Sequence, residues 1–280
     1  MYGLDQTFQA AEHQPFLWTQ SDAQAAALLV HGFPGTPADV RPIADMLFAA
    51  GWAVQAVLLP GFGSQIATLG QRQSVEWIEA VRRALADLKR SYPSVLLVGY
   101  SLGGALAVQV AAVERPAALL LLAPFWKLEH PLWPMLPVIR RVLPAVPIFR
   151  LLRLDFSDPE TRASILNFVP DADLDDPQTQ QAIRDFRLPV SLFAEVRKAG
   201  VMGFRAAPQV RVPVTIIQGV QDELVRPYLT AQLVRRFPNG ARLLEVQADH
   251  VLIDPRTLAW AKIREVLLDF RGLATTGNVG

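Results

Sequence analysis

The 280-residue chain is 51% hydrophobic, carries 27 basic and 26 acidic residues for a net charge of +1, and has 17 glycines, 22 prolines and no cysteine. That length and composition suit one large α/β domain, or one such domain with an inserted subdomain, and exclude disorder for most of the chain. Near-neutral charge without a block of like charges disfavours nucleic acid as a partner, and the missing thiols exclude disulfides, thiolate metal sites and cysteine nucleophiles.

Residues 1–20 are acidic and polar where a basic n-region and an apolar h-region would have to stand, so no signal peptide is apparent and a cytoplasmic address is the default expectation. Beyond them, short apolar runs alternate with longer amphipathic ones, the order that a largely parallel sheet with crossover helices requires. Ala25–Val30 (AAALLV) reads as a buried strand ending at His31-Gly32-Phe33-Pro34-Gly35; 40–50 reads as a helix, and 52–59 as a strand stopped by Pro60-Gly61-Phe62-Gly63. Helical spacing of Val75, Ile78, Val81, Leu85 and Leu88 predicts a helix over 74–90, with Ser74 able to cap its start. The run 94–98 (SVLLV) is a fully buried strand leading into Gly99-Tyr100-Ser101-Leu102-Gly103 and an alanine-rich helix to about residue 113; 117–122 is a further strand.

From about 125 to 206 the rhythm fails: the segment is rich in Pro, Trp, Leu and Arg, with helical stretches and no convincing buried strand. Its most membrane-like part, 131–152, holds five prolines and three arginines, which would break and charge a spanning helix, so no transmembrane segment is expected. The alternation resumes with a strand at 213–218, a helix at 227–237, a strand at 241–246 and a last helix at 255–270, with 273–280 expected to fray. The expected division is therefore a core of 1–124 and 206–280 interrupted by a helical insertion at 125–205.

Gly99-x-Ser101-x-Gly103 fits G-x-S-x-G, a strand-to-helix corner that holds a serine in a strained conformation and presents it at the carboxyl edge of a sheet. The preceding apolar strand and the following helix supply the context the motif needs. A serine hydroxyl requires a base to take its proton, and the base requires a partner to fix its tautomer. Of His13, His31, His130 and His250, only His250 directly follows the last strand (LLEVQADH), on the same sheet edge as Ser101. Asp222, after the 213–218 strand, completes the order Ser, Asp, His; Glu223 is its nearest rival, ahead of Asp249 and Asp254. The HGFPG segment supplies the other half of an oxyanion hole, in which the backbone N–H groups of Phe33 and Leu102 meet the carbonyl oxygen as it gains charge, worth about 3 to 4 kcal/mol per donor. His31 itself is expected to brace that loop.

With these segments in hand, HGFPGTP at 31–37, LLPGFG at 58–63, GYSLGG at 99–104, QGVQDELV at 218–225 and DHVLIDP at 249–255, the chain resembles bacterial carboxylesterases and monoacylglycerol lipases of the α/β-hydrolase superfamily. The resemblance covers about two thirds of the chain. It implies an α/β-hydrolase fold, a mostly parallel central sheet flanked by helices with a helical cap inserted after the sixth strand. It also implies Ser101, Asp222 and His250 as catalytic residues and Phe33 and Leu102 as oxyanion donors. Ala248-Asp249 before the histidine departs from the small or aromatic residues more usual there.

The insertion opens with Phe125, Trp126, Leu132, Trp133, Met135, Leu136, Val138 and Ile139, of which Phe125, Trp126 and Trp133 are candidates for an apolar substrate pocket beneath a cap. Arg140, Arg141 and Arg150 border apolar residues, as at a surface that touches lipid. The expected reaction is hydrolysis of a small-molecule carboxylic ester through an acyl-enzyme on Ser101, with no metal or organic cofactor. The same residues could act on a lactone, thioester, peptide or carbon–carbon bond, or the fold could serve as a silent ligand receptor. Oligomeric state is not legible.

Overall fold

The computed structural model describes residues 8–141 and 188–270, together with 143, 145–146, 155–158, 162, 165–166, 173–185 and 272. Seven strands make one sheet: β1 (Phe16–Trp18), β2 (Ala25–Val30), β3 (Ala53–Val57), β4 (Ser94–Tyr100), β5 (Ala118–Leu122), β8 (Val214–Gly219) and β9 (Arg242–Val246). Their order is β1-β3-β2-β4-β5-β8-β9, and every neighbouring pair is parallel except β1 with β3. Two further strands of two residues each, β6 (Ala145–Val146) and β7 (Leu188–Pro189), pair with one another apart from this sheet.

Along the central strands, consecutive residues serve opposite faces. Ala26, Leu28 and Val30 of β2 join one apolar cluster with Val95 and Leu97 of β4 and Leu119 and Leu121 of β5. Ala25, Ala27, Leu29, Leu96, Val98, Leu120 and Leu122 join the other. Because helices cover both faces, these strands read as continuous apolar runs with no polar alternation.

On the first face lie α2 (Ser74–Ser91), α3 (Leu102–Glu114) and α6 (Val190–Ala206); on the second lie α1 (Arg41–Ala49) and α8 (Leu258–Asp269). Short helices α4 (Leu136–Ile139), α5 (Pro177–Asp185) and α7 (Pro227–Val234) complete the described elements. None of the described helices is long and apolar enough to cross a membrane.

Three sequence expectations change. Helix α2 is capped by Gln73, whose backbone N–H donates to Glu76 Oε2 at 2.7 Å, and not by Ser74. Ser74 is instead buried, donating to Glu195 Oε2 from both its backbone N–H (2.9 Å) and its hydroxyl (2.8 Å). The α2 face is also rotated from the expected one: Trp77 is fully buried while Val75 is 56% exposed. The insertion follows the fifth strand of the described chain and not the sixth, since β1 to β5 are the strands described ahead of residue 125.

Packing divides the 125–205 segment. Its last stretch, α6, is a core helix that lies so close to α3 that a Cβ at Gly203 would stand 2.7 Å from the Ala105 carbonyl oxygen, and Gln109 Nε2 donates to the Ala199 carbonyl at 3.0 Å. Glu195 on α6 then ties this helix to the start of α2. Sandwiched between the sheet, α2 and α6, α3 is apolar nearly all round, which is why its sequence shows no amphipathic stripe.

Candidate active site

The chain leaves β2 toward β3 on one side and returns to β4 on the other, so the crevice beyond the carboxyl ends of β2 and β4 is the switch point at which open α/β sheets bind ligands. Ser101 stands there, between β4 and α3, with φ 52° and ψ −118°. Such a conformation costs a non-glycine residue roughly 1–3 kcal/mol and survives where its surroundings over-determine it. Here they do: Ser101 N–H donates to Leu122 O at 2.9 Å, and its carbonyl accepts from Gly104 N–H (2.9 Å) and Phe125 N–H (3.0 Å). Both motif glycines are needed for close approach, since a Cβ at Gly99 would lie 2.6 Å from Gly103 O, and one at Gly103 would collide with the carbonyl oxygens of Val30 and His31.

His250 follows β9 and brings Nε2 to 3.0 Å from Ser101 Oγ, while its Nδ1 lies 2.8 Å from Asp222 Oδ2. The hydrogen bond to the carboxylate places the proton on Nδ1 and leaves Nε2 free to accept from the serine. Tyr100 holds His250 from below: its hydroxyl donates to the His250 carbonyl at 3.0 Å and its ring stacks on the imidazole at 5.6 Å. Burial and the nearby carboxylates of Asp39, Asp222 and Asp249 raise the Tyr100 pKa, keeping the phenol a neutral donor.

Asp222 follows β8, and its side chain is wholly shielded from solvent. Its Oδ1 accepts from the backbone N–H groups of Leu224 (3.0 Å) and Val225 (2.7 Å), and Oδ2 accepts from Gln218 Nε2 at 3.1 Å in addition to His250. The rivals lie elsewhere. Glu223 is exposed, Asp249 caps Val251 N–H at 2.8 Å, and Asp254 is bound to Arg256.

Loop 31–35 runs over the elbow, and a Cβ at Gly32 would lie 3.0 Å from Ser101 Cβ and 3.6 Å from its Oγ. His31 braces this loop as expected: Nε2 accepts from Leu59 N–H at 3.1 Å, so Nδ1 carries the proton and donates to Gly32 O at 2.8 Å. Burial lowers its pKa to about 4, which keeps the brace neutral. Phe33 packs edge-on against Phe62 and Phe193, and Leu102 opens α3, where first-turn N–H groups have no partner within the helix.

His13 and His130 stay away from the nucleophile. His13 bonds Thr36 Oγ1 at 2.8 Å, and His130 is exposed, with Nδ1 accepting from Leu132 N–H. Phe125 and Trp133 are buried edge-to-face at 5.8 Å, with Phe125 held beside the nucleophile by its bond to Ser101 O. Trp126 turns away, stacking on Phe204 at 4.2 Å and donating to Leu229 O at 2.9 Å. Among the described residues no group of three or more His, Asp or Glu side chains is arranged to hold a metal ion.

A parallel sheet with a serine at its strand-to-helix corner, in hydrogen-bond contact with a histidine and through it a carboxylate, defines the class: this is an α/β-hydrolase fold. The family described as Hydrolase_4, serine aminopeptidase S33, matches residues 21–249, and the chain belongs to it. The thermostable monoacylglycerol lipase of Bacillus sp. (strain H-257) is 33% identical over 84 residues, which are 30% of this chain and only 34% of that relative's length. Among solved structures, one described with the metagenome-derived lipolytic enzymes LipS and LipT superposes with a TM-score of 0.71 at 20% identity, over 93% of this chain and 97% of that one. The monoacylglycerol lipase of Paleococcus ferrophilus does so with a TM-score of 0.68 at 17% identity, over 93% and 98%. These structural likenesses establish the shared fold.

Proposed function

We propose that the protein hydrolyses carboxylic esters of short to medium acyl chain, monoacylglycerols among them, through an acyl-enzyme on Ser101. The observation that carries this reading is the unbroken contact from Ser101 Oγ through both ring nitrogens of His250 to Asp222. His250 Nε2 takes the hydroxyl proton as Ser101 Oγ bonds to the ester carbonyl carbon. The carbonyl oxygen, gaining charge, is met by the backbone N–H groups of Phe33 and Leu102. His250 then returns the proton to the alcohol oxygen as that C–O bond breaks, and water repeats the sequence to release the acid and restore Ser101. Asp222 holds the ring in place throughout by its contact with Nδ1.

In this reading residues 125–205 form a cap over the sheet edge, anchored by α6, and Phe125 and Trp133 supply apolar wall, whereas Trp126, packed on Phe204, does not. Lipid contact is a second proposal, favoured by Leu132, Met135 and Val138, each more than half exposed within one short segment beside Arg140 and Arg141. Arg150 of the same basic group lies outside the described residues.

Labelling by a fluorophosphonate probe, lost in Ser101→Ala, supports the hydrolase; a well-folded wild type that takes no label supports a ligand receptor of the same fold. Because the family description names a serine aminopeptidase, the substrate panel should set esters of graded acyl length and monoacylglycerols against lactones, thioesters and aminoacyl amides. Turnover confined to the amides would sink the ester assignment.

A further inference from the structure

The carboxylate that faces His250 is itself held from within the core. Gln218, the fifth residue of β8, is fully buried, and its amide makes four contacts: Nε2 donates to Gly219 O (3.1 Å), Val225 O (2.9 Å) and Asp222 Oδ2 (3.1 Å), while Oε1 accepts from the Thr230 hydroxyl at 2.6 Å. The orientation of the amide is settled by its surroundings. Reversed, Oε1 would face three acceptor oxygens, two of them carbonyls that have no proton to offer.

Thr230, on α7 and also fully buried, meets the far end of the amide, its hydroxyl donating to Oε1 and holding the side chain in place. The carboxylate needs this donor. It is out of contact with solvent, no Lys or Arg among the described residues forms an ion pair with it, and its two oxygens accept from four donors, of which Gln218 is one. Removing one of these donors would leave a buried oxygen without its partner and free the carboxylate to turn. The same amide also closes the turn 219–225 by bridging its two ends at Gly219 and Val225.

We propose that Gln218, supported by Thr230, is a positioning residue for the reaction, aiming Asp222 Oδ2 at His250 Nδ1, so that the working set is a chain of five side chains and not three. The inference rests on the hydrolase reading. The test uses Gln218→Met, which keeps the length of the side chain and removes the donor, assayed on an activated nitrophenyl ester in both the wild-type and the Asp222→Asn backgrounds.

The expected result is a fall in kcat of roughly 10- to 100-fold, the range seen when outer partners of reactive groups are removed, with KM within about twofold. In the Asp222→Asn background the same substitution should have almost no further effect, because it acts through that carboxylate. Wild-type kcat, or a loss that multiplies in full with Asp222→Asn, overturns the proposal, since a merely structural role would be additive. Should Gln218→Met lose the fold, Thr230→Val reads the same contact: kcat is expected to fall and to recover in Thr230→Ser, which restores the hydroxyl. Ester turnover that survives Ser101→Ala would instead defeat the hydrolase reading, so the two failures are distinct.

Discussion

The carboxyl edge of the sheet and the segment at 125–146 are both rich in apolar residues, yet they are held in different ways. At the edge, Leu121 and Leu122 are fully buried, and Ser101, His250 and Asp222 are each held by two or more hydrogen bonds. In the segment, Leu132, Met135 and Val138 are more than half exposed, and α4 is only four residues long. The contrast shows where geometry has to be kept and where surface is being presented: substitutions at the edge should cost chemistry or fold, while those at the exposed positions of the segment should cost neither.

The largest effect is expected at the nucleophile. Ser101→Ala should lower kcat by about 10⁶-fold, and Asp222→Asn by about 10⁴-fold, without unfolding the protein, as read by turnover alongside circular dichroism. Wild-type turnover in Asp222→Asn would mean that another carboxylate serves His250. Next comes the sheet itself: Leu97→Ala, at the middle of β4, should destabilise the fold by about 2–5 kcal/mol in urea unfolding, because a cavity opens where nothing can collapse.

A smaller effect separates two titrating groups near the elbow, the fully buried His31 and the partly buried Asp39. Burial lowers the His31 pKa to about 4 and raises that of Asp39 to about 7, the latter against a hydrogen bond from Thr36. Between pH 4 and 6.5 the unfolded chain binds more protons than the folded one at His31 and fewer at Asp39, so the two slopes oppose. His31 stabilises above pH 6.5 and loses that contribution as pH falls toward 4; Asp39 stabilises in acid and loses its contribution as pH rises through 7. Asp39→Asn should therefore unmask a stability that climbs by about 3 kcal/mol from pH 4 to 6.5, where these two groups leave the wild type nearly flat. A variant whose unfolding midpoints stay as flat as those of the wild type would contradict the assignment.

The smallest effect should come from the segment. Leu132→Ser combined with Val138→Ser is expected to change stability by less than about 0.5 kcal/mol while reducing co-sedimentation with anionic lipid vesicles. Unchanged co-sedimentation would leave the exposed residues without a lipid role.

Much of the edge was legible in advance because each of its residues announces itself locally. A serine between two glycines after an apolar run, and a histidine and an aspartate each just past a strand, need no knowledge of what lies opposite. Gln218 offered no such signal, since a glutamine ending VTIIQ reads as a strand leaving the core. Its burial depends on α7 packing over the strand end, a fact of tertiary order. Tyr100 was hidden inside the motif it supports. Strand β1 escaped notice because three residues paired antiparallel at a sheet margin leave too short a pattern to recognise. Helix α6 reads as part of the insertion because its segment shows helical stretches and no buried strand, and the close approach of Gly200 to Trp126 and of Gly203 to Ala105 is a tertiary fact.

The bond from Tyr100 to the carbonyl of His250 has a consequence for how the protein fails on heating. Nucleophile and base are neighbours of one phenol ring, so the corner that carries the first cannot drift without dragging the second along. Warming should consequently leave catalysis intact until the sheet gives way, with the inactivation curve lying on top of the melting curve and not ahead of it. Tyr100→Phe, which cuts that tether and keeps the ring, should pull the two curves apart.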